Sequence, residues 1–340
     1  MAMTNLKTPL FAALLLATAS VAAASPDSTT TWTVQEFPIA ENITGIDFFC
    51  EDTAYAVTSG GVIARTFDAG NHWIGRRITQ TPLEDLQFID GPVGWVIGQS
   101  GLIWKTKDGG LNWENQSYGD TAAWLLDIQM LDRSTGIIIG ATREKKEMLG
   151  GLLLRTIDGG EHWNKIDVGG LGYSEIVTPN DSTVAFLAYG ALYTSHDKGA
   201  TWKRTLTFDG YPCRCLSILG SAGIMGGSSG TTAYSRDGGA TWTESQQSQG
   251  DLYIACQLVN QSVGYMGGQG GKFRKTLNGG SIWFDESLPI DFDIFDMQLV
   301  GPKLYIVGSK GSVVVGDVID RTQLKLKDMS DTHKGDIDSH

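Results

Sequence analysis

The chain has 340 residues, 41% of them hydrophobic, which is enough for a globular protein that buries most of the surface its unfolded form exposes. Its formal charge is −12 and no basic run exceeds the pair Arg76-Arg77, so it lacks the positive face that binding to nucleic-acid phosphates needs. The 44 glycines suit many tight turns, and no stretch holds a helical period, so the expected class is all-β.

The N-terminus reads as a secretory signal. Lys7 gives a basic start, Leu10 to Val21 an apolar core, and Ala22-Ala23-Ala24 a small-residue cleavage site before Ser25. The apolar run is too short for a comfortable membrane span, and no cysteine near the cleavage point would carry a lipid anchor. Removal of residues 1–24 on export to a periplasm is the expectation. A polar lead at 25–30 follows, then the strand-like run Thr31-Trp32-Thr33-Val34-Gln35-Glu36-Phe37.

From there one pattern recurs six times: Ser or Thr, any residue, Asp, any residue, Gly, two residues, Trp. The copies lie at 66–73, 106–113, 156–163, 195–202, 235–242 and 276–283, so the tryptophans step by 40, 50, 39, 40 and 41 residues. Evenly spaced self-similarity of this kind marks a repeat architecture. Each copy suits a hairpin tip. A short hydroxyl and a carboxylate bond back to turn amides, glycine takes a positive φ, and the indole folds under the turn against the seam between sheets. The structural residues of the pattern are Asp68, Asp108, Asp158, Asp197, Asp237 and Asn278, with Trp73, Trp113, Trp163, Trp202, Trp242 and Trp283. Ala69 replaces the usual glycine in the first copy, and Asn278 replaces aspartate in the sixth.

This pattern is the Asp-box, and the chain resembles Asp-box β-propellers of the bacterial neuraminidase type. The form Gly-Trp-Val-Ile-Gly-Gln-Ser-Gly at 94–101, then Ile-Trp-Lys-Thr-Lys-Asp-Gly-Gly at 103–110, is most similar to the photosystem II stability/assembly factor family. The similarity runs over residues 31–319. It implies a ring of small sheets and a non-enzymatic role in binding newly made membrane-protein subunits. Counting gives a seven-bladed propeller, with blades at 43–79, 83–118, 125–168, 173–208, 212–248 and 252–288. The seventh joins 293–319 to the N-terminal strand at 31–38, which closes the ring without a free edge. Residues 320–340 are polar and charged, and are expected to form a flexible tail.

Function should lie on the face away from the boxes. Aligned on their apolar positions, the inner strands place Asp85, Asp127, Glu175 and Asp296 in one register, just before Leu86, Ile128, Ile176 and Met297, with Glu84 and Arg214 beside it. Such a ring at the channel mouth would suit a cation or a basic peptide, although a water-filled channel with solvated acids explains the pattern as well. The 50-residue interval in blade three adds a charged loop on the same face, containing Arg143, Lys145 and Lys146.

Four cysteines remain. Cys213 and Cys215 sit too close in sequence for an easy bridge, while Cys256 could bond to one of them; free thiols in inner strands are the equal alternative, with Cys50 apart. His72, His162 and His196 fall in box turns, and neither a metal site nor a cofactor is expected. Sialidases carry the same boxes, but their Phe-Arg-Ile-Pro element has no arginine here, where Glu36-Phe37-Pro38-Ile39 is the nearest match. A glycoside hydrolase using channel-mouth carboxylates stays as the alternative to a monomeric periplasmic scaffold for a membrane or envelope complex.

Overall fold

The computed structural model describes residues 30–319, apart from 145–147, 171, 181, 208–212 and 246–249. The expected signal segment at 1–24, the tail at 320–340, and Lys145 and Lys146 lie outside the described residues. Within them the chain forms seven four-stranded antiparallel sheets, each built outward from an inner strand. Blade one is representative, with strands Ile43–Phe48, Ala54–Thr58, Val62–Thr66 and Ile74–Arg77.

Burial grades along that order for a simple reason. The second strand is covered by neighbouring sheets on both faces, so it is an unbroken small or apolar run, and all five residues of Ala54–Thr58 are buried. The outer strand faces water, and all four residues of Ile74–Arg77 are exposed. Seven apolar clusters fill the seams. Tyr55 and Val57 of blade one, for example, pack with Leu86, Phe88 and Val96 of blade two.

The seventh sheet is composite. Trp32–Gln35 pairs antiparallel with Val313–Asp317, from Trp32↔Gly316 to Gln35↔Val313. The Trp32 indole lies over Gly316, where an added Cβ would meet the ring at 2.5 Å. Its other edge meets Tyr265 and Phe273 of blade six in T-shaped contacts at 5.7 and 5.3 Å between centroids.

Two details differ from the reading of the sequence. The described residues of the blade-three insertion lengthen Gly136–Glu144 and Met148–Thr156, which stay paired out to Glu144↔Met148, where the sequence suggested an extended loop or a charged hairpin. Pairing continues because this protruding ladder satisfies its own backbone groups. The box tryptophans are also less enclosed than expected: Trp73 is buried, but the other five are half-buried, since each indole closes the outer end of a seam rather than its middle.

Candidate functional site

The two faces of the ring are built differently. On one, each box turn is held by the same local bonds. In blade three, Thr156 Oγ1 donates to Asp158 Oδ1 (2.8 Å) and accepts the N–H groups of Asp158 (3.3 Å) and Gly160 (2.8 Å). Asp158 Oδ1 then accepts the His162 N–H at 3.0 Å. Asn278 makes the equivalent bond to the Ile282 N–H, also at 3.0 Å. These bonds hold the box carboxylates in their charged form, so Asp68, Asp158, Asp197 and Asp237 sit at about 2. For Asp68 the leading cause is the His72 side chain, and for Asp197 and Asp237 it is the hydroxyl of Thr201 and Thr241. Every lone pair so used is one not offered to a substrate. Among the described residues no group of three or more His, Cys, Asp or Glu side chains is placed to hold a metal ion.

The opposite face carries the start of each inner strand. All seven inner strands slip register against the second strand at one place: Ile43/Gly45, Leu83/Asp85, Leu125/Asp127, Tyr173/Glu175, Cys213/Cys215, Tyr253/Ala255 and Ile294/Asp296. A β-bulge adds one residue and re-aims its side chain. Successive residues can therefore line the pore, the bulged one at the mouth and the next one deeper. Together they surround a cavity of about 450 Å³, into which Leu126, Ser174, Arg214, Ile254 and Phe295 project with Glu84 and the four aligned acids.

The four acids are half-buried in the wall of this cavity, and the three aspartates among them are bonded as well as partly exposed. Each aspartate turns sideways and accepts a backbone N–H from the next inner strand: Asp296 from Ile46 (3.0 Å), Asp85 from Ile128 (3.0 Å) and Asp127 from Ile176 (2.6 Å). Two residues further on the latch repeats, with Asp47 accepting from Phe88 (2.6 Å), Gln298 from Phe48 (2.6 Å) and Gln87 from Met130. An inner strand has a ladder partner on one side only, so these side chains satisfy the amides on its other side. The signal was present as Asp-x-Gln at 85–87, 127–129 and 296–298, but the acid alone drew attention.

Enclosure changes the protonation of this ring. Burial pushes Asp47 and Asp127 up to about 6, against the N–H bonds from Phe88 and Ile176 that oppose the shift. Asp85 and Glu175 rise well above the ordinary range through burial first and then the neighbouring Asp127 charge. Asp296 is raised by burial, and so is Glu84, where bonds from Gln99 and Trp124 work the other way. The Asp127 charge is among the causes that raise Asp85, so ionising one of the two opposes ionising the other.

The structure thus brings Asp85, Asp127, Glu175, Asp296 and Arg214 to one cavity. Arg143 is not part of it; it lies in the protruding hairpin of blade three, paired with Leu149. The apolar mouth residues Leu126, Ile254 and Phe295 were missed, because a bulge breaks the two-residue alternation on which a sequence reading relies.

Comparison with known proteins fits this architecture. The family described as "Photosynthesis system II assembly factor YCF48" matches residues 24–120, and a BNR/Asp-box repeat matches residues 233–244. A curated relative, the photosystem II assembly lipoprotein Ycf48 of Synechococcus sp. (strain CC9902), is 27% identical over 185 residues, which is 52% of this chain and 53% of the relative. The match therefore spans about half the length of that relative. Among solved structures, YCF48 bound to D1 peptide superposes with a TM-score of 0.68 at 16% identity, over 85% of this chain and 97% of that one. Virginiamycin B lyase from Staphylococcus aureus reaches 0.69 at 11% identity, over 85% and 100%. Superposition at such low identity shows the fold alone, since it does not separate a peptide-binding protein from a lyase. The chain is a seven-bladed Asp-box β-propeller that resembles the photosystem II assembly factors.

Proposed function

We propose that this protein binds a protein partner through the funnel face of the ring, and so assists the assembly or stability of a membrane or envelope complex without catalysing a reaction. The carrying observation is the lining of the mouth. Leu126, Ile254 and Phe295 supply apolar surface, and Arg214 has no hydrogen-bond or ion-pair partner among the described residues. Exposed Trp124 and Tyr189 stand on the same side, next to the turn at Gln99 and in the turn after Ala188. Apolar and aromatic surface with a single arginine is the composition of protein-recognition patches. The resemblance to Ycf48, one example of which is bound to D1 peptide, points the same way. The aspartates act as latches here, which makes them poor candidates for the free acid and nucleophile that glycoside hydrolysis needs.

The extracytoplasmic setting and a monomeric state belong to the same proposal. No helix among the described residues is long and apolar enough to cross a membrane. Export through residues 1–24 would put the ring on the side of the envelope where such subunits are assembled. The test is co-purification from envelope membranes with the full chain, an Arg214→Glu/Phe295→Ala variant, and an Ile157→Glu variant on the box face. A membrane-protein subunit recovered in stoichiometric amount with the full chain and Ile157→Glu, but lost with the funnel variant, supports the reading. Retention by the funnel variant with loss on Ile157→Glu would move the partner to the other face and overturn it.

A further inference from the structure

The latch described above joins two fixed positions in successive blades: the residue after the bulge in one, and its successor's equivalent in the next. Asp296 meets Ile46, Asp85 meets Ile128, and Asp127 meets Ile176 in this way. Between blades five and six those two positions are Cys215 and Cys256. The seam is otherwise regular, because Ser217 Oγ accepts the Leu258 N–H at 3.0 Å in the second tier. Both cysteines are buried in one apolar cluster. They also donate to the same strand, Cys215 Sγ to Gly226 O (3.6 Å) and Cys256 Sγ to Ile224 O (3.9 Å).

The bulge at Arg214 decides which of the close pair is eligible. It turns Cys213 into the seam with blade four, among Leu187, Leu192 and Leu216, while Cys215 enters the seam with blade six. Cys50 is exposed in blade one. We propose that Cys215 and Cys256 are the site of an inter-blade disulfide, a covalent counterpart of the hydrogen-bonded latches in the other seams. The oxidant is a disulfide compound. One cysteine thiolate attacks it to give a mixed disulfide and one released thiol; the second cysteine displaces the remaining half. One S–S bond forms in the protein, one breaks in the oxidant, and two thiols leave with the two protons. Cys256 lines a second cavity of about 230 Å³ beneath the funnel, so it is the thiol nearer to a reagent. Burial raises its pKa, and the thiolate is the reactive form, so exchange is slow in the closed ring and the bond is set as the chain folds.

Refolding the denatured full chain in reduced and oxidised glutathione, followed by alkylation under denaturing conditions and tryptic mapping without reduction, tests the assignment. Trypsin cuts after Arg214 and so separates Cys213 from Cys215. The expected result is loss of two of the four alkylatable thiols and a crosslinked peptide pair carrying Cys215 and Cys256. Cys213→Ser should keep the crosslink and Cys215→Ser should lose it. Four alkylated cysteines after oxidative refolding, or a bridge through Cys213 or Cys50, would overturn the proposal. If Cys215→Ser does not fold, the map of the unsubstituted chain with Cys213→Ser still decides.

Discussion

At the scale of single residues, the box turns show which departures from the repeat carry a cost. The position before the box glycine is left-handed in every copy: Gly109, Gly159 and Gly238 have φ of 70°, and Gly279 has 62°. Ala69 is held at 58° and Lys198 at 55° in the same place. Left-handed backbone costs a non-glycine residue about 1–2 kcal/mol, whereas glycine's extra freedom in the unfolded chain costs about 0.4–1 kcal/mol. Strain wins, so Ala69→Gly should stabilise the protein by about 0.5–1 kcal/mol, read as a higher denaturant midpoint with an unchanged slope; a lower midpoint would refute the account. The hydroxyl is the more demanding member. Thr156→Ala leaves the buried Gly160 N–H without its acceptor and should cost about 1–3 kcal/mol. Thr156→Ser should stay within about 1 kcal/mol of the parent, because Ser195 and Ser235 already do the same work in blades four and five. These turns were legible in the sequence because their bonds span only two to four residues.

At the scale of strands, legibility ends where contacts become long-range. The continuous apolar second strands and the even box spacing were enough to count blades. The seven bulges were not visible, because an added residue leaves composition unchanged and only shifts which face a side chain takes. Aligning Asp85, Asp127, Glu175 and Asp296 therefore found residues that line one cavity, but not the inter-strand bonds that the three aspartates make. The blade-three insertion shows the same limit: its charged composition suggests a loop, while Arg143↔Leu149 and Glu144↔Met148 continue the ladder. Two predictions follow from the latches and the closing strand. Asp127→Ala removes the acceptor of the Ile176 N–H and should cost about 1–3 kcal/mol, while Asp127→Asn keeps an acceptor oxygen and should cost less. Equal effects from the two would show that the carboxyl acts through charge and not as an acceptor. Trp32→Ala removes a half-buried indole from the contact with Tyr265 and Phe273, and should cost about 3 kcal/mol by thermal or denaturant unfolding. A loss no larger than that of a surface substitution, about 0.5 kcal/mol, would mean that the N-terminal strand does not secure the ring.

At the scale of the whole molecule, the two faces pull the pH dependence of stability in opposite directions. Asp47 and Asp127 rise from 3.8 to about 6 on folding. Between these values the native state binds more protons than the unfolded chain, so stability falls as pH rises through roughly 4 to 6. The box acids Asp68, Asp158, Asp197 and Asp237 move the other way, to about 2, so their contribution is present above about 4 and is lost as pH falls toward 2. The expected curve has its maximum near pH 4 to 5, below that of most proteins. The thermal midpoint should climb as buffer is taken from pH 7 to 5, by an amount corresponding to about 1 kcal/mol each for Asp47 and Asp127. Net charge of −12 would bend the curve the same way, because protonation relieves repulsion across the surface. Salt separates the two causes: about 0.5 M salt screens exposed charges but hardly reaches an enclosed pair. If the pore acids are responsible, the climb survives in salt and disappears in an Asp47→Asn/Asp127→Asn variant. A climb abolished by salt and untouched by that variant would assign it to the surface, and would leave the girdle of acids with no part in how the ring responds to acid.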